Sequence, residues 1–346
     1  MRVYFLNKDE IQFWKRIGKR SLSDRTKLAR EIQCMNKKKL LLPSNRKLLA
    51  ISGGIMTVII GIAILSAFSS PNTVSQSGVS RTVDWRHVHG LGIDPVDRTI
   101  LYIATHGDFY HSHDGRPPFK VDVVRADYMA FNSSPSAGIP LYASGHPSTG
   151  GNTGLIKSTD GGQSWDSVAK VLEPPIDFHA MSVSKSDPDT IIGFDSAGRG
   201  LFKTIDAGKT WETLQYPEYI SALAISPIDS QIVFAGTGKG IFQSTDGAKS
   251  WIHLDEYKGI TVFALSFDEE GTFYASTSKF GLSRSADLGN TWKEINEPSL
   301  VITSIATDSK NKIIYVAGYS PDGYQEVYRS LDDGTNWQII GTNKGL

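Results

Sequence analysis

Between Ile220 and Asp255 the chain sets a pattern that most of it repeats. "ISALAISP" (Ile220–Pro227) alternates apolar and small residues as a half-buried strand does, and "IVFAGTGKG" (Ile232–Gly240) gives a second strand. "IFQS" (Ile241–Ser244) leads into the turn-rich "STDGAKSW" (Ser244–Trp251), and "WIHLD" (Trp251–Asp255) leads out of it. Four short strands joined by turns are therefore predicted for each unit. Equivalent first strands begin near His89, Asp127, His179, Phe263 and Thr303. The N-terminal region differs. Leu48–Phe68 holds 21 consecutive residues without a charge, enough for one membrane-crossing helix. Ahead of it, Ile11, Trp14, Ile17 and Leu28 are apolar positions of a basic amphipathic helix suited to a membrane surface or a partner; the alternative is a poorly ordered tail.

The turn-rich unit recurs at Ser158–Trp165, Thr204–Trp211, Ser244–Trp251, Ser285–Trp292 and Ser330–Trp337, at spacings of 46, 40, 41 and 45 residues. A degenerate copy, "SHDGR" (Ser112–Arg116), stands 46 residues before the first and lacks the Trp. Such a period predicts an all-β fold, a six-bladed β-propeller of four-stranded antiparallel sheets. Seven blades are the alternative if Val83–Trp85 pairs outside the first sheet. The expected organisation is a basic segment (1–47), a membrane anchor or signal peptide (48–68), a linker (69–81) and the propeller (82–346). The box has a mechanical role. Its Gly supplies the positive φ of a reversal between the third and fourth strands. Its Ser/Thr and Asp (Asp114, Asp160, Asp206, Asp246, Asp287, Asp332) accept backbone hydrogen bonds within the turn. Its tryptophans (Trp165, Trp211, Trp251, Trp292, Trp337) cap the gaps between sheets. One such Asp per blade is spread around a ring, whereas paired carboxylates for acid–base chemistry must converge. The box is structural.

With five copies of S-x-D-x-G-x-x-W laid out, each exact or one residue away, the chain resembles the Asp-box, or BNR-repeat, propellers, among them sialidases, sortilin-type receptors and photosystem II assembly factors. In those families the box lies at the blade periphery, away from the axial site. A narrower resemblance is carried by "HVHGLGIDP", "LYIATHGDFY", "ADYMAF", "YASGHP" and "DFHAM", which look like a bacterial exported family named F510-type or BNR-repeat "glycosylhydrolase". That resemblance implies glycoside hydrolysis as one alternative, with Asp127, Asp177 or Asp108 as acid–base candidates. Fold analogy is not a reaction, however. Sialidases need an arginine cluster and an R-I-P segment near the propeller start, where this chain has only Arg81 and Arg86 in "SRTVDWRHV". No sialidase catalytic set is recognisable. A second alternative implied by the resemblance is a scaffold that assembles membrane or envelope proteins.

Charge sharpens the compartment. The chain balances 36 basic against 36 acidic residues, but residues 1–47 carry 14 Lys or Arg and 4 Asp or Glu, leaving the remainder acidic by ten charges. Basic residues stay in the cytoplasm, so the propeller is expected outside a cell membrane, on a single-pass anchor. Secretion after signal cleavage is the alternative, with Met35 as a second possible start, but 21 apolar residues exceed a usual signal core. The one cysteine, Cys34, precedes the apolar segment, so the exported part has no disulfide. An acidic propeller disfavours nucleic acid as a partner and leaves a protein or glycan.

Seven of the eight histidines fall between His87 and His179. Blade alignment puts His89, Asp127 and His179 in one slot at the first-strand start, with Ser221, Phe263 and Thr303 in later blades. His106 and His146 share a second slot just past the second strand. Both slots lie at one edge of an antiparallel blade, so these side chains, with His87, are expected at one mouth of the axial channel as a ligand site. His89, His106, His146 and His179 are candidate ligands for a divalent transition metal (Zn, Cu or Ni), or one serves as a general base. The alternative is that they stiffen the entrance by bonding loop backbone. Tyr110, Tyr128 and Asp108 are further candidates for the mouth. His111 and His113 are expected at the periphery and His253 on an outer strand.

Overall fold

The computed structural model describes residues 82–133 and 136–345. The basic segment, Leu48–Phe68 and the linker lie outside the described residues. Among the described residues, no helix is long and apolar enough to cross a membrane. The fold is a six-bladed all-β propeller. Blades one and three to six are four-stranded antiparallel sheets with their strands in sequence order, spanning Val88–Lys120, Phe178–Leu214, Ile220–His253, Val262–Glu294 and Val301–Thr342. Blade two is the same sheet in two pieces. Ala126–Tyr128 pairs with Gly145–Pro147, while Leu141–Ala143 joins Leu155–Ser158 and Asp166–Ala169. An isolated bridge from Asn132 to Tyr142 links the pieces.

Six hydrophobic clusters hold the ring, and each spans two neighbouring blades. Trp165 with Phe109, Tyr128 and Phe131 fills the gap between blades one and two. Trp211 does so between two and three, Trp251 between three and four, Trp292 between four and five, and Trp337 between five and six. The degenerate first box has Phe119 where Trp belongs, and that ring is 48% exposed. Trp85 takes its place. It is 2% exposed in the cluster joining blades six and one, edge-on to Tyr110 at 5.7 Å. Fully burying an indole of 150–250 Å², as at Trp85 and Trp337, contributes about 4 kcal/mol to such a joint. The segment carrying Trp85 also closes the ring: Val83 N–H donates to Thr342 O at 2.7 Å, on the outer edge of blade six. Val83–Trp85 therefore pairs outside the first sheet without making a seventh blade.

The box turns behave as the repeat predicted. In blade two, Ser158 Oγ accepts from Gly162 N–H at 2.8 Å, and Asp160 Oδ1 accepts from Ser164 N–H at 2.9 Å. Gly162 sits at φ 87°, and a Cβ there would meet the Phe109 ring at 2.3 Å, so no larger residue fits. In blade three, hydrogen bonds from the Thr210 and Thr204 side chains hold the Asp206 carboxyl at about 2. The carboxylates of the five full boxes are each consumed by their own turn, whereas Asp114 of the degenerate box pairs with Arg329 Nη1 of blade six at 3.1 Å.

Candidate functional site at the propeller mouth

Five inner strands carry a β-bulge at the same level, and the extra residues are His89, His179, Ser221, Phe263 and Thr303. A bulge leaves one residue unpaired and re-aims its side chain. All five line an axial cavity of about 200 Å³. Blade two corrects the alignment made from sequence. Tyr128 pairs with Gly145 as Val88 pairs with Thr105, so the residue level with His89 is Met129. Asp127 stands two positions earlier, level with His87 and Asp177. A shift of two preserves the face of a strand, so apolar alternation could not detect it.

The corrected register gives a rule for the rim. At four of the six interfaces the residue after the second strand meets the next blade's residue two before the bulge. His106 bridges to Asp127, with Nδ1 3.0 Å from Oδ2. His146 repeats the arrangement one interface on, its Nε2 3.2 Å from Asp177 Oδ2. Ser196 O then accepts from the Tyr219 hydroxyl at 3.1 Å, and the Tyr319 ring meets that of His87 at 5.9 Å as the circle closes. The result is two successive interblade His–Asp pairs. His89 stands beside them, its ring 6.0 Å from His87 and 6.2 Å from His106.

The second pair has a third member. His179 Nε2 lies 2.8 Å from Asp177 Oδ2, and suitable donor atoms of His146, Asp177 and His179 all fall within 4.8 Å of one another. Tetrahedral zinc sites place neighbouring ligand atoms about 3.3 Å apart. His146 Nδ1–H donates to Gly151 O at 3.0 Å, the backbone contact that fixes a ligating imidazole with Nε2 inward. Ser196 Oγ donates to Asp177 Oδ2 at 2.8 Å. Asp177 Oδ1 is buried without a hydrogen-bond partner, as is His89 Nε2. Two imidazoles, a carboxylate and orphaned buried acceptors suit a divalent transition metal.

The electrostatics divide the histidines. Asp177 raises the His146 imidazole to about 9 despite burial. Burial opposes ionisation of Asp177, but the two imidazoles outweigh it and hold the carboxyl well below its usual range. Burial, then the neighbouring His87, His179 and His106, drive His89 well below an ordinary histidine, so it is neutral.

The other candidates lie elsewhere. Asp108 is engaged by Lys120 and by Arg125 at 3.2 Å. The Tyr110 hydroxyl donates to Asp84 O, and that of Tyr128 to Asp122 at 3.2 Å. None of the three joins the histidine cluster. His111 contacts Gly161 O of the neighbouring box at 2.6 Å and stacks on His113, while His253 stacks on Phe242, all peripheral. Asp177 is the residue whose place among the donors sequence reasoning missed. The signal was there: "HVH" and "DFH" set Asp177 and His179 at the spacing of His87 and His89.

No family model and no curated protein matches this chain. Similar solved structures share the fold. A GH74 enzyme from Niastella koreensis superposes with TM-score 0.54 at 17% identity, covering 77% of this chain and 46% of that one. A GH74 xyloglucanase from Xanthomonas campestris gives 0.50 at 15% identity, covering 77% and 47%. YCF48 from Cyanidioschyzon merolae gives 0.47 at 14%, covering 75% and 87%. The chain thus spans about half the length of the GH74 enzymes it resembles.

Proposed function

We propose that this chain is a membrane-anchored Asp-box propeller that holds a divalent transition metal at its histidine-rich mouth, outside the cytoplasm. The observation that carries the metal is the convergence of His146, Asp177 and His179 within 4.8 Å, from adjoining blades. The uncharged Leu48–Phe68 segment and the basic residues before it support the anchor and its orientation. The kinship to F510-type exported proteins rests on the sequence segments quoted above. The glycosidase alternative is weaker. A general acid must stay protonated until it acts, whereas Asp177 is held ionised by imidazoles; Asp108 is tied up in ion pairs with Lys120 and Arg125, away from the histidines. Equilibrium dialysis of the detergent-solubilised full chain against Zn(II), Ni(II) and Cu(II) tests the proposal. One ion per chain is expected, with retention lost in a His146→Ala/His179→Ala variant. Equal metal content in both proteins rejects it.

A further inference from the structure

We propose that His106, aligned by Asp127, is a proton acceptor for a molecule bound at the neighbouring metal position, which makes the mouth a metal-assisted hydrolytic site for esters. The inference rests on the metal reading above. Its geometry is independent of it. His106 Nδ1 lies 3.0 Å from Asp127 Oδ2, which leaves Nε2 as the ring nitrogen outside that contact. The His106 side chain is 40% exposed, so a ligand in the mouth can reach it. The third side chain of the metal cluster's sister pair is missing here. At the bulge of blade two stands Met129, not a histidine, and the His106–Asp127 pair has no counterpart to His179.

The two pairs lie at one level of the rim. His106 bridges to Asp127, and Asp127 is the strand partner of His146. Their backbones are therefore two strand spacings apart, about 10 Å. A small molecule spanning the two pairs would meet an ion on His146, Asp177 and His179 at one end and the exposed His106 ring at the other. Three protein ligands also leave a fourth position for substrate or water, as catalytic rather than structural sites do. The step is hydrolysis. An ion held by His146, Asp177 and His179 would supply polarisation of the ester carbonyl; the water oxygen bonds to the carbonyl carbon, and one water proton passes to His106 Nε2. The bond from that carbon to the alcohol oxygen then breaks, and His106 returns the proton to the departing oxygen. Asp127 is a positioning residue, since it touches only the imidazole.

The test uses the full chain in detergent, loaded with Zn(II), and p-nitrophenyl acetate as the probe. Zinc-dependent hydrolysis is expected, falling by about 10²–10⁴-fold in His106→Gln and in Asp127→Asn with zinc content unchanged. Diethyl pyrocarbonate supplies a readout without turnover. Modification of His106, followed by mass spectrometry, is expected to be fast in the wild type, slow in Asp127→Asn and restored in Asp127→Glu. Unchanged hydrolysis in the two variants overturns the proposal while leaving the metal reading intact, and zinc lost from them overturns it by making His106 or Asp127 part of the ion's own site. A wild type that binds zinc but hydrolyses no faster than the metal-free chain also overturns it. Failure to bind zinc at all sinks the metal reading and this one together.

Discussion

The outer turns and the inner mouth are built from the same repeat, yet they diverged in opposite ways. At the periphery the five blades with a full box do the same task. Ser158, Thr204, Ser244, Ser285 and Ser330 each accept the amide hydrogen of the residue four places on. Where the first blade lost its tryptophan, Trp85 restored the joint from outside the repeat. At the mouth, equivalent backbone positions carry unrelated side chains. The bulge holds His89 and His179 on one side but Ser221, Phe263 and Thr303 on the other. A closed ring must seal every joint equally, whereas a ligand needs donors only where it sits. Repetition therefore marks stability, and broken repetition marks chemistry.

That division can be broken or sharpened by measurement. The largest effect belongs to the periphery. Trp85→Ala is expected to cost about 3–5 kcal/mol in denaturant unfolding, because the joint between blades six and one cannot collapse around the cavity. Phe119→Ala, at the nominal box position, is expected to cost under about 1 kcal/mol. Equal costs would mean that Trp85 is not the substitute. Next comes Asp177→Asn, which removes the central donor. Outer partners of metal ligands are worth 10–100-fold in affinity, so loss of the ligand itself is expected to exceed about 100-fold by competition dialysis. Ser196→Ala, which deletes only the hydrogen bond to Asp177, should weaken the ion by about 10-fold.

Smaller still is the pH response of the metal-free chain. The His146 imidazole is raised from an ordinary 6.5 to about 9 by Asp177. Its stabilisation is therefore complete below pH 6.5 and is lost as pH climbs towards 9. Asp177 is depressed, so its share is lost in acid, below the ordinary 3.8. The two describe one ion pair. Its partly exposed imidazole limits the alkaline loss to about 1 kcal/mol, and His146→Gln should flatten the unfolding midpoint between pH 6.5 and 9. The smallest effect is Thr303→Ala, on the side of the mouth without donors. Ion affinity there should change by less than about 2-fold, and a larger loss would spread the site around the whole rim.

Periodicity made the fold legible. Spacings near forty-five residues count blades, and turn chemistry assigns the box to a hairpin whatever surrounds it. The histidine cluster was legible too, because five of its members sit in positions that repeat. What escaped was register. Blade two splits its first pairing, and alternation with a period of two cannot distinguish Asp127 from Met129 as the equivalent of His89. The rim rule depends on that distinction. So does the role of Asp177, which becomes central only once it is seen two residues before a bulge and one blade beyond His146. The replacement of a missing tryptophan by Trp85 was equally hidden, since no local pattern links Val83 to Thr342.

That last contact bears on when the protein becomes competent during synthesis. Five of the six joints lie between blades that follow one another in the chain, so each can form soon after its second blade emerges. The sixth cannot. Trp85 Nε1–H donates to Gln325 O, 240 positions later, and Gln325 Oε1 in turn accepts from Val88 N–H, at the edge of His87 and His89. Both contacts must wait for the last blade. A chain halted before Gln325 would carry every metal-cluster donor on blades two and three, but it would lack the neighbour that seats blade one. The rim is thus completed only once blade six has been translated, and products truncated before Gln325 are left with an open ring.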